Sequence, residues 1–177
     1  MAALKGRKLP PVHRWNPEYC GVSDMRIGRD GTWYYRDSPI GRKPMVRLFS
    51  TVLRRDPDNR YYLVTPVEKL SIDVEDVPFM AVEMLAEGSG RDRRLTFRTN
   101  VDDAVTADHE HPIRVVEDAG SREPSPYVLV RDRMEARIVR SVFYDLVELG
   151  QEENVDGVTR FGVWSSGTFF PLGTLGV

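Results

Sequence analysis

Two histidines, His109 and His111, stand one residue apart in the acidic run Asp108-His-Glu-His111. On a strand both imidazoles would point to one face, where they could ligate zinc or nickel. A third ligand, such as Asp102 or His13, would have to come from elsewhere in the chain. Pro112 follows at once, so an exposed loop or strand edge is the stronger reading, and no metal site is assigned. Cys20 is the chain's one cysteine. Its thiolate would serve as nucleophile or redox sensor if a cationic neighbour stabilised it. No histidine lies near it in sequence, and a buried structural thiol is the commoner state of a free cysteine. Asp24, Asp30 and Asp37 have the look of paired carboxylates for acid–base work. A turn explains Asp30 and a strand end explains Asp37. Asp24 lacks a local reason; it could accept a hydrogen bond from a buried group or pair with Arg42.

Two further segments carry polar groups suited to binding. Thr65-Pro-Val-Glu-Lys69 joins two strands, and Thr65, Glu68 and Lys69 could line a pocket or simply be solvated. Thr96-Phe-Arg-Thr-Asn-Val101 sets Arg98 and Asn100 beside Phe97. With Trp33, Tyr35 and Trp164 these supply aromatic faces near cations and amides, which can stack bases and hold phosphate but also build ordinary cores. There is no G-x-G-x-x-G, Walker loop, C-x-x-C or H-E-x-x-H. No catalytic residue and no cofactor is assigned.

The elements that must position these groups follow from pattern. The 177 residues, 41% hydrophobic and 29% charged, fit one globular domain or two small ones. No apolar run reaches membrane-spanning length, and the basic N-terminus lacks the apolar stretch of a secretory signal. With one cysteine, this points to a cytoplasmic protein without a membrane partner. Residues 1–60 hold 13 Lys and Arg against 6 Asp and Glu, a surplus of seven, in a chain of net charge −2. That asymmetry suits docking of two oppositely charged halves better than nucleic-acid binding, because no dense basic stripe occurs.

Residues 1–17, with Pro10, Pro11 and Pro17, read as a flexible arm that Trp15 could pin to the body. Asp30-Gly31 predicts a hairpin from Met25 to Asp37. A helix is predicted from about Arg42, with Pro44 in its first turn and an apolar stripe through Leu53. Strands follow at Tyr61–Val64, Leu70–Glu75, Phe79–Leu85, Leu95–Phe97, 104–106, 113–116 and Tyr127–Val130. A second helix is predicted from about Arg133 to Gly150, with Met134, Ile138, Val142, Phe143 and Leu146 on its stripe. A hairpin turning at Ser165-Ser-Gly167 closes the chain. Gly31-Thr-Trp-Tyr34 is echoed by Gly167-Thr-Phe-Phe170, and each is followed by Pro-Ile-Gly or Pro-Leu-Gly. Val46-Arg47 is echoed by Val139-Arg140, and Tyr62-Leu-Val64 by Tyr127-Val-Leu-Val130. These echoes suggest an internal duplication.

Several stretches, in order from about residue 10 to 173, carry a family resemblance. They are Trp15-Asn-Pro-Glu-Tyr-Cys-Gly21, Asp24-Met-Arg-Ile27, Asp30-Gly-Thr-Trp33, Ser38-Pro-Ile-Gly-Arg42, Val46-Arg-Leu-Phe-Ser50, Tyr62-Leu-Val-Thr-Pro-Val-Glu-Lys69, Phe97-Arg-Thr-Asn100 and Phe169-Phe-Pro-Leu-Gly173. Together the chain resembles a bacterial, mainly proteobacterial, domain-of-unknown-function family, number twelve-eighty-five. The resemblance implies an α+β fold of two small repeated strand-rich domains, each with one main helix, the C-terminal one superficially pleckstrin-homology-like. It also implies a ligand site between the domains, for a nucleotide-like molecule, with a signalling role.

The expected organisation is therefore an arm at 1–17, an N-terminal domain at 18–75 and a C-terminal domain at 76–177. The expected function is non-enzymatic binding of a nucleotide-like small molecule. Asp24, Trp33, Arg42, Thr65, Glu68, Lys69, Arg98 and Asn100 are the candidate lining. The alternatives are a protein-interaction module that uses the aromatic hairpins and, behind it, a hydrolase built on Asp24 or the His109/His111 pair. Ligand identity and oligomeric state stay open.

Overall fold

The computed structural model describes residues 8–173; residues 1–7 of the expected arm lie outside them. In the rest of that arm, a single turn of 3-10 helix, Val12–Arg14, buries Val12. The Arg54 guanidinium donates to the Val12 and Trp15 carbonyls at 2.9 and 2.6 Å.

The first sheet is built from β1 (Tyr19–Ile27), β2 (Trp33–Tyr35), β3 (Ser38–Pro39), β4 (Leu53–Arg55), β5 (Tyr61–Val64) and β6 (Lys69–Val74), with α1 (Lys43–Thr51) between β3 and β4. Its strand order is β3-β2-β1-β6-β5-β4. Two antiparallel three-stranded pieces thus meet at a parallel β1–β6 seam. The β1–β2 turn forms as Asp30-Gly31 predicts. Gly31 takes φ +86°, and the Asp30 carboxylate accepts the Thr32 N–H at 3.0 Å.

The second sheet holds β7 (Phe79–Glu87), β8 (Arg94–Thr99), β9 (Ala104–Thr106), β10 (Ile113–Glu117), β11 (Pro124–Arg131) and β12 (Met134–Ile138), in the order β10-β11-β12-β7-β8-β9. Numbered within each sheet, both orders are 3-2-1-6-5-4, and in both the first strand runs parallel to the sixth. After β12 come α2 (Arg140–Glu148) and a meander of β13 (Gln151–Val155), β14 (Val158–Ser165) and β15 (Thr168–Gly173). The fold is α+β, with two repeated strand-rich domains and one main helix in each.

The repeat is real, but the sequence echoes do not trace it. The 31–34 hairpin lies before its helix in the first sheet, whereas the 167–170 hairpin lies after α2 in the separate three-stranded meander. The helices are displaced too: α1 joins the two halves of its sheet, while α2 follows the completed one.

Both predicted helices run too far. Leu53 is strand and 1% exposed. The second helix begins seven residues late by that reading, because Met134, Ala136 and Ile138 are buried alternately along β12. Met134 and Ile138 are four apart, a spacing that fits a helix face and one face of a strand equally well. The small residue Ala136 between them hid the period of two.

One apolar core runs through both sheets. Ile27, Trp33, Leu53 and Ile72 of the first join Phe79, Phe97 and Met134 of the second and Leu146 of α2. Trp33 stacks on Phe49 of α1 with ring centroids 6.4 Å apart.

Candidate functional site

The two domains meet through charged groups as well as core. Arg131 of β11 donates to the Ser50 carbonyl of α1 at 3.0 Å and lies 3.4 Å from the buried Asp103 carboxylate. Arg47 of α1 pairs with Asp102. Arg133 donates to the Asp56 carbonyl at 3.1 Å and to the Asn59 side chain, while its own carbonyl accepts from Arg55 at 3.0 Å. Gly31 presses on the second domain: a Cβ there would stand 2.6 Å from Met80 Cγ.

The eight residues expected to line a site are dispersed along this frame. Trp33 is core, 1% exposed. Asn100 clamps β7, accepting the Met80 N–H at 3.0 Å and donating its own N–H to the Met80 carbonyl at 2.9 Å. Arg98 pairs with Glu83 at 2.6 Å and Asp102 at 3.0 Å; its hydrogen bond holds the Glu83 carboxyl below its ordinary value. Thr65 and Glu68 form the β5–β6 turn, where Thr65 Oγ1 accepts the Glu68 N–H at 3.1 Å. The Lys69 ammonium lies 2.6 Å from Asp56 and 4.2 Å from the Tyr62 ring centre. Arg42 is exposed at the start of α1. Asp24, at φ +60°, faces Arg36 across 3.8 Å and lines an open depression of about 480 Å³ on the first sheet. Of the eight, only Asp24 borders any of the three cavities described below and here.

A cavity of about 420 Å³ lies instead where the β1–β2 turn, the β10–β11 loop and the start of α2 come together. Arg29 reaches it from the first domain. Arg137 on β12 and Arg140 on α2 reach it from the second. Met80, Ile138, Val139 and Phe143 form the apolar wall, and Tyr144 stands at it 59% exposed. Asp118 and Glu123 also border it, and Asp118 caps its own loop by accepting the Gly120 and Ser121 N–H groups at 2.7 and 3.3 Å. These bonds hold its carboxyl below the ordinary value, with a further contribution from the Arg29 charge. Behind the wall, Asp76 accepts the Tyr127 hydroxyl at 3.0 Å and lies 3.8 Å from Arg137. Burial first, then the Asp76 charge, pushes the Tyr127 phenol up. Among the described residues, neither the Arg29 nor the Arg140 guanidinium has an ion-pair partner.

Sequence reading missed Arg29, Arg137, Arg140 and Tyr144. The last three fell inside one predicted helix, which gave Arg137 of β12 a helical period and hid the boundary that sets Arg140 at the start of α2. With β12 ending at Ile138, Arg137 projects between two core residues, and Arg140 opens the helix.

The other candidates lie apart. Cys20 is exposed and its thiol donates to the Glu18 carbonyl at 3.2 Å. His111 is 2.9 Å from Asp108 within the turn that leads to β10, while the His109 side chain is 80% exposed. Burial would raise the Asp108 carboxyl, but hydrogen bonds from the His111 ring and from the His111 and Glu110 N–H groups outweigh it and lower it. Asp24 lies on β1 and the two histidines in the turn between β9 and β10, and neither histidine borders the depression that Asp24 lines. No group of three His, Cys, Asp or Glu among the described residues could hold a metal ion. In the aromatic hairpins, Trp33 is buried and Trp164 is partly buried, donating to Glu153 at 3.1 Å beneath Arg91, while Tyr35 is 46% exposed. No helix among the described residues is long and apolar enough to cross a membrane.

A model of the domain of unknown function DUF1285, N-terminal domain, matches residues 10–77, and one of the protein of unknown function DUF1285, C-terminal domain, matches residues 78–172. The crystal structure of a DUF1285 family protein from Silicibacter pomeroyi DSS-3 is similar at 51% identity and TM-score 0.89, over 98% of this chain and 92% of that one. One from Shewanella baltica OS155, at 23% identity and TM-score 0.57, covers 72% of this chain and 93% of that one and shows likeness of fold alone. No curated protein matches the chain.

Proposed function

This chain belongs to the DUF1285 family, and from that footing we propose that it is a non-enzymatic binding protein for a nucleotide-like small molecule, with a regulatory role. The observation that carries this reading is the cavity of about 420 Å³ at the domain junction, lined by three arginines against two carboxylates, Asp118 and Glu123, together with apolar and aromatic side chains. Its size falls within the roughly 300–1,000 Å³ of small-molecule sites. Arg29 and Arg140 are free to hold an anionic group, with Arg137 beside them, and guanidinium forks suit phosphate and carboxylate oxygens. Tyr144, 59% exposed, offers a flat face to a ring. A ligand seated there touches Arg29 of one domain and α2 of the other, so occupancy is felt across the junction, as a regulatory role requires.

The test is a thermal-shift screen with nucleoside mono-, di- and cyclic phosphates at millimolar concentration. A ligand at a hundredfold excess over its Kd stabilises the fold by about 2.7 kcal/mol. At least one nucleotide should raise the melting temperature, and the double variant Arg29→Ala, Arg140→Ala should lose the shift. A flat panel sinks the reading. So does a shift that the double variant keeps.

A further inference from the structure

A second cleft, of about 770 Å³, opens on another side of the domain junction, between the Val12–Arg14 turn, β4 and the β11–β12 turn. Four arginines border it, Arg14, Arg54, Arg55 and Arg133, against two carboxylates, Asp56 and Asp132. This is a local cationic surplus on a chain whose net charge is −2. The internal pairing does not remove it. Asp56 is shared between Arg54 and Lys69, each 2.6 Å away. Arg55 donates to the Arg133 carbonyl, and Arg133 to the Asp56 carbonyl and the Asn59 amide. Carbonyls and amides satisfy the N–H groups but bring no countercharge, so the field of these guanidiniums reaches the cleft. Arg14 is exposed with no ion-pair partner among the described residues, and Trp15 beside it is half-buried and supplies an apolar contact.

We infer that this cleft is a docking surface for an acidic, extended peptide segment of a partner protein, held by Arg14, Arg55 and Arg133 with Trp15 as its apolar anchor. Charge complementarity selects the partner. Carboxylates spaced along a peptide can pair with separated arginine forks and pass between Asp56 and Asp132. A nucleic-acid backbone, with its regular close-set phosphates, would meet those two carboxylates on the same wall, without the continuous cationic stripe it needs. The cleft is separate from the 420 Å³ cavity and shares no lining residue with it, so the inference stands whether or not that cavity binds a nucleotide.

The experiment is fluorescence anisotropy of the full chain with a labelled peptide of about twelve residues alternating Glu and Ala, at low and high salt. The same titration is run with a Lys–Ala peptide and with a labelled oligothymidylate. The acidic peptide should bind, weaken with salt, and lose at least about tenfold in affinity in Arg14→Glu, which reverses one charge. The Arg14 side chain makes no hydrogen bond or ion pair among the described residues, and its backbone N–H bond to the Pro11 carbonyl does not depend on the side chain, so that variant should keep the wild-type melting temperature. Trp15→Ala should weaken binding without changing its salt dependence. Absence of acidic-peptide binding overturns the proposal, as does binding that Arg14→Glu leaves unchanged. Tighter binding of the oligothymidylate than of the acidic peptide overturns it in favour of a nucleic-acid surface.

Discussion

Asp56 ties the end of β4 to β6 and, through Arg54, to the Val12–Arg14 turn. Its side chain is 10% exposed and takes both Arg54 and Lys69 at 2.6 Å, while Arg54 in turn holds the Val12 and Trp15 carbonyls. Burial would raise its pKa, but the hydrogen bonds and charges of Arg54 and Lys69 outweigh that and leave it below the ordinary 3.8. A carboxyl lowered by folding stabilises the protein fully above its unfolded value and loses that contribution as pH falls through its folded value. The window for Asp56 therefore opens near pH 3.8 and extends below it. Asp56→Asn should cost about 2–3 kcal/mol at neutral pH, somewhat under the usual figure for breaking a buried pair because the two cations keep partial access to water. Below pH 3.8 the gap to wild type should narrow. Urea denaturation at neutral pH and at a series of acid values measures both effects, and a gap that stays constant with pH would contradict the assignment.

Elements were legible where one period dominated. The alternation of Leu70, Ile72 and Val74, the Asp30-Gly31 turn and the apolar stripe of α1 all led to the right element. β12 did not, because Met134 and Ile138 satisfy two periods at once, and Ala136 is too small to announce a strand face. That one error also hid the candidate cavity, since Arg137 and Arg140 lie on either side of the true strand–helix boundary. The eight lining residues were chosen for their chemistry, and most of that chemistry is spent inside the fold: Lys69 on Asp56, Arg98 on Glu83, Asn100 on the β7 backbone. Short sequence patterns reveal which groups are polar, not which have partners at long range. Ser165 is the plainest case. It is fully buried, donates to the Ala107 carbonyl at 2.7 Å and accepts the Leu95 N–H at 3.0 Å, fastening β14 to the second sheet. Ser165→Ala strands a buried donor and a buried acceptor, so it should destabilise by about 2–4 kcal/mol. Hydrogen exchange should show the Leu95 amide losing protection first; unchanged protection there would remove Ser165 from this role.

At the scale of the molecule, the family boundary at residues 77 and 78 divides two sheets of the same strand order but does not divide the core. Apolar residues of both domains form one buried cluster. Gly31 packs toward Met80: φ +86° strains an L side chain there, and a Cβ would stand 2.6 Å from Met80 Cγ, so a larger residue would force the junction to shift. Arg131 reaches from β11 to α1 while facing Asp103, whose side chain is 8% exposed. Domains joined only by a wet, polar interface melt separately, whereas a shared core makes each domain's unfolding expose apolar surface of the other. The protein should therefore melt in one calorimetric transition, with equal calorimetric and van't Hoff enthalpies. Arg131→Met separates the two contributions to that coupling. It removes a charge facing Asp103 and a hydrogen bond to the other domain but retains apolar bulk, so it should cost about 3 kcal/mol. If the shared core carries the coupling, the variant still melts in a single transition at lower temperature. If the charged bridge carries it, the variant shows two transitions, and the continuity of the core across residues 77 and 78 is not what unites the domains.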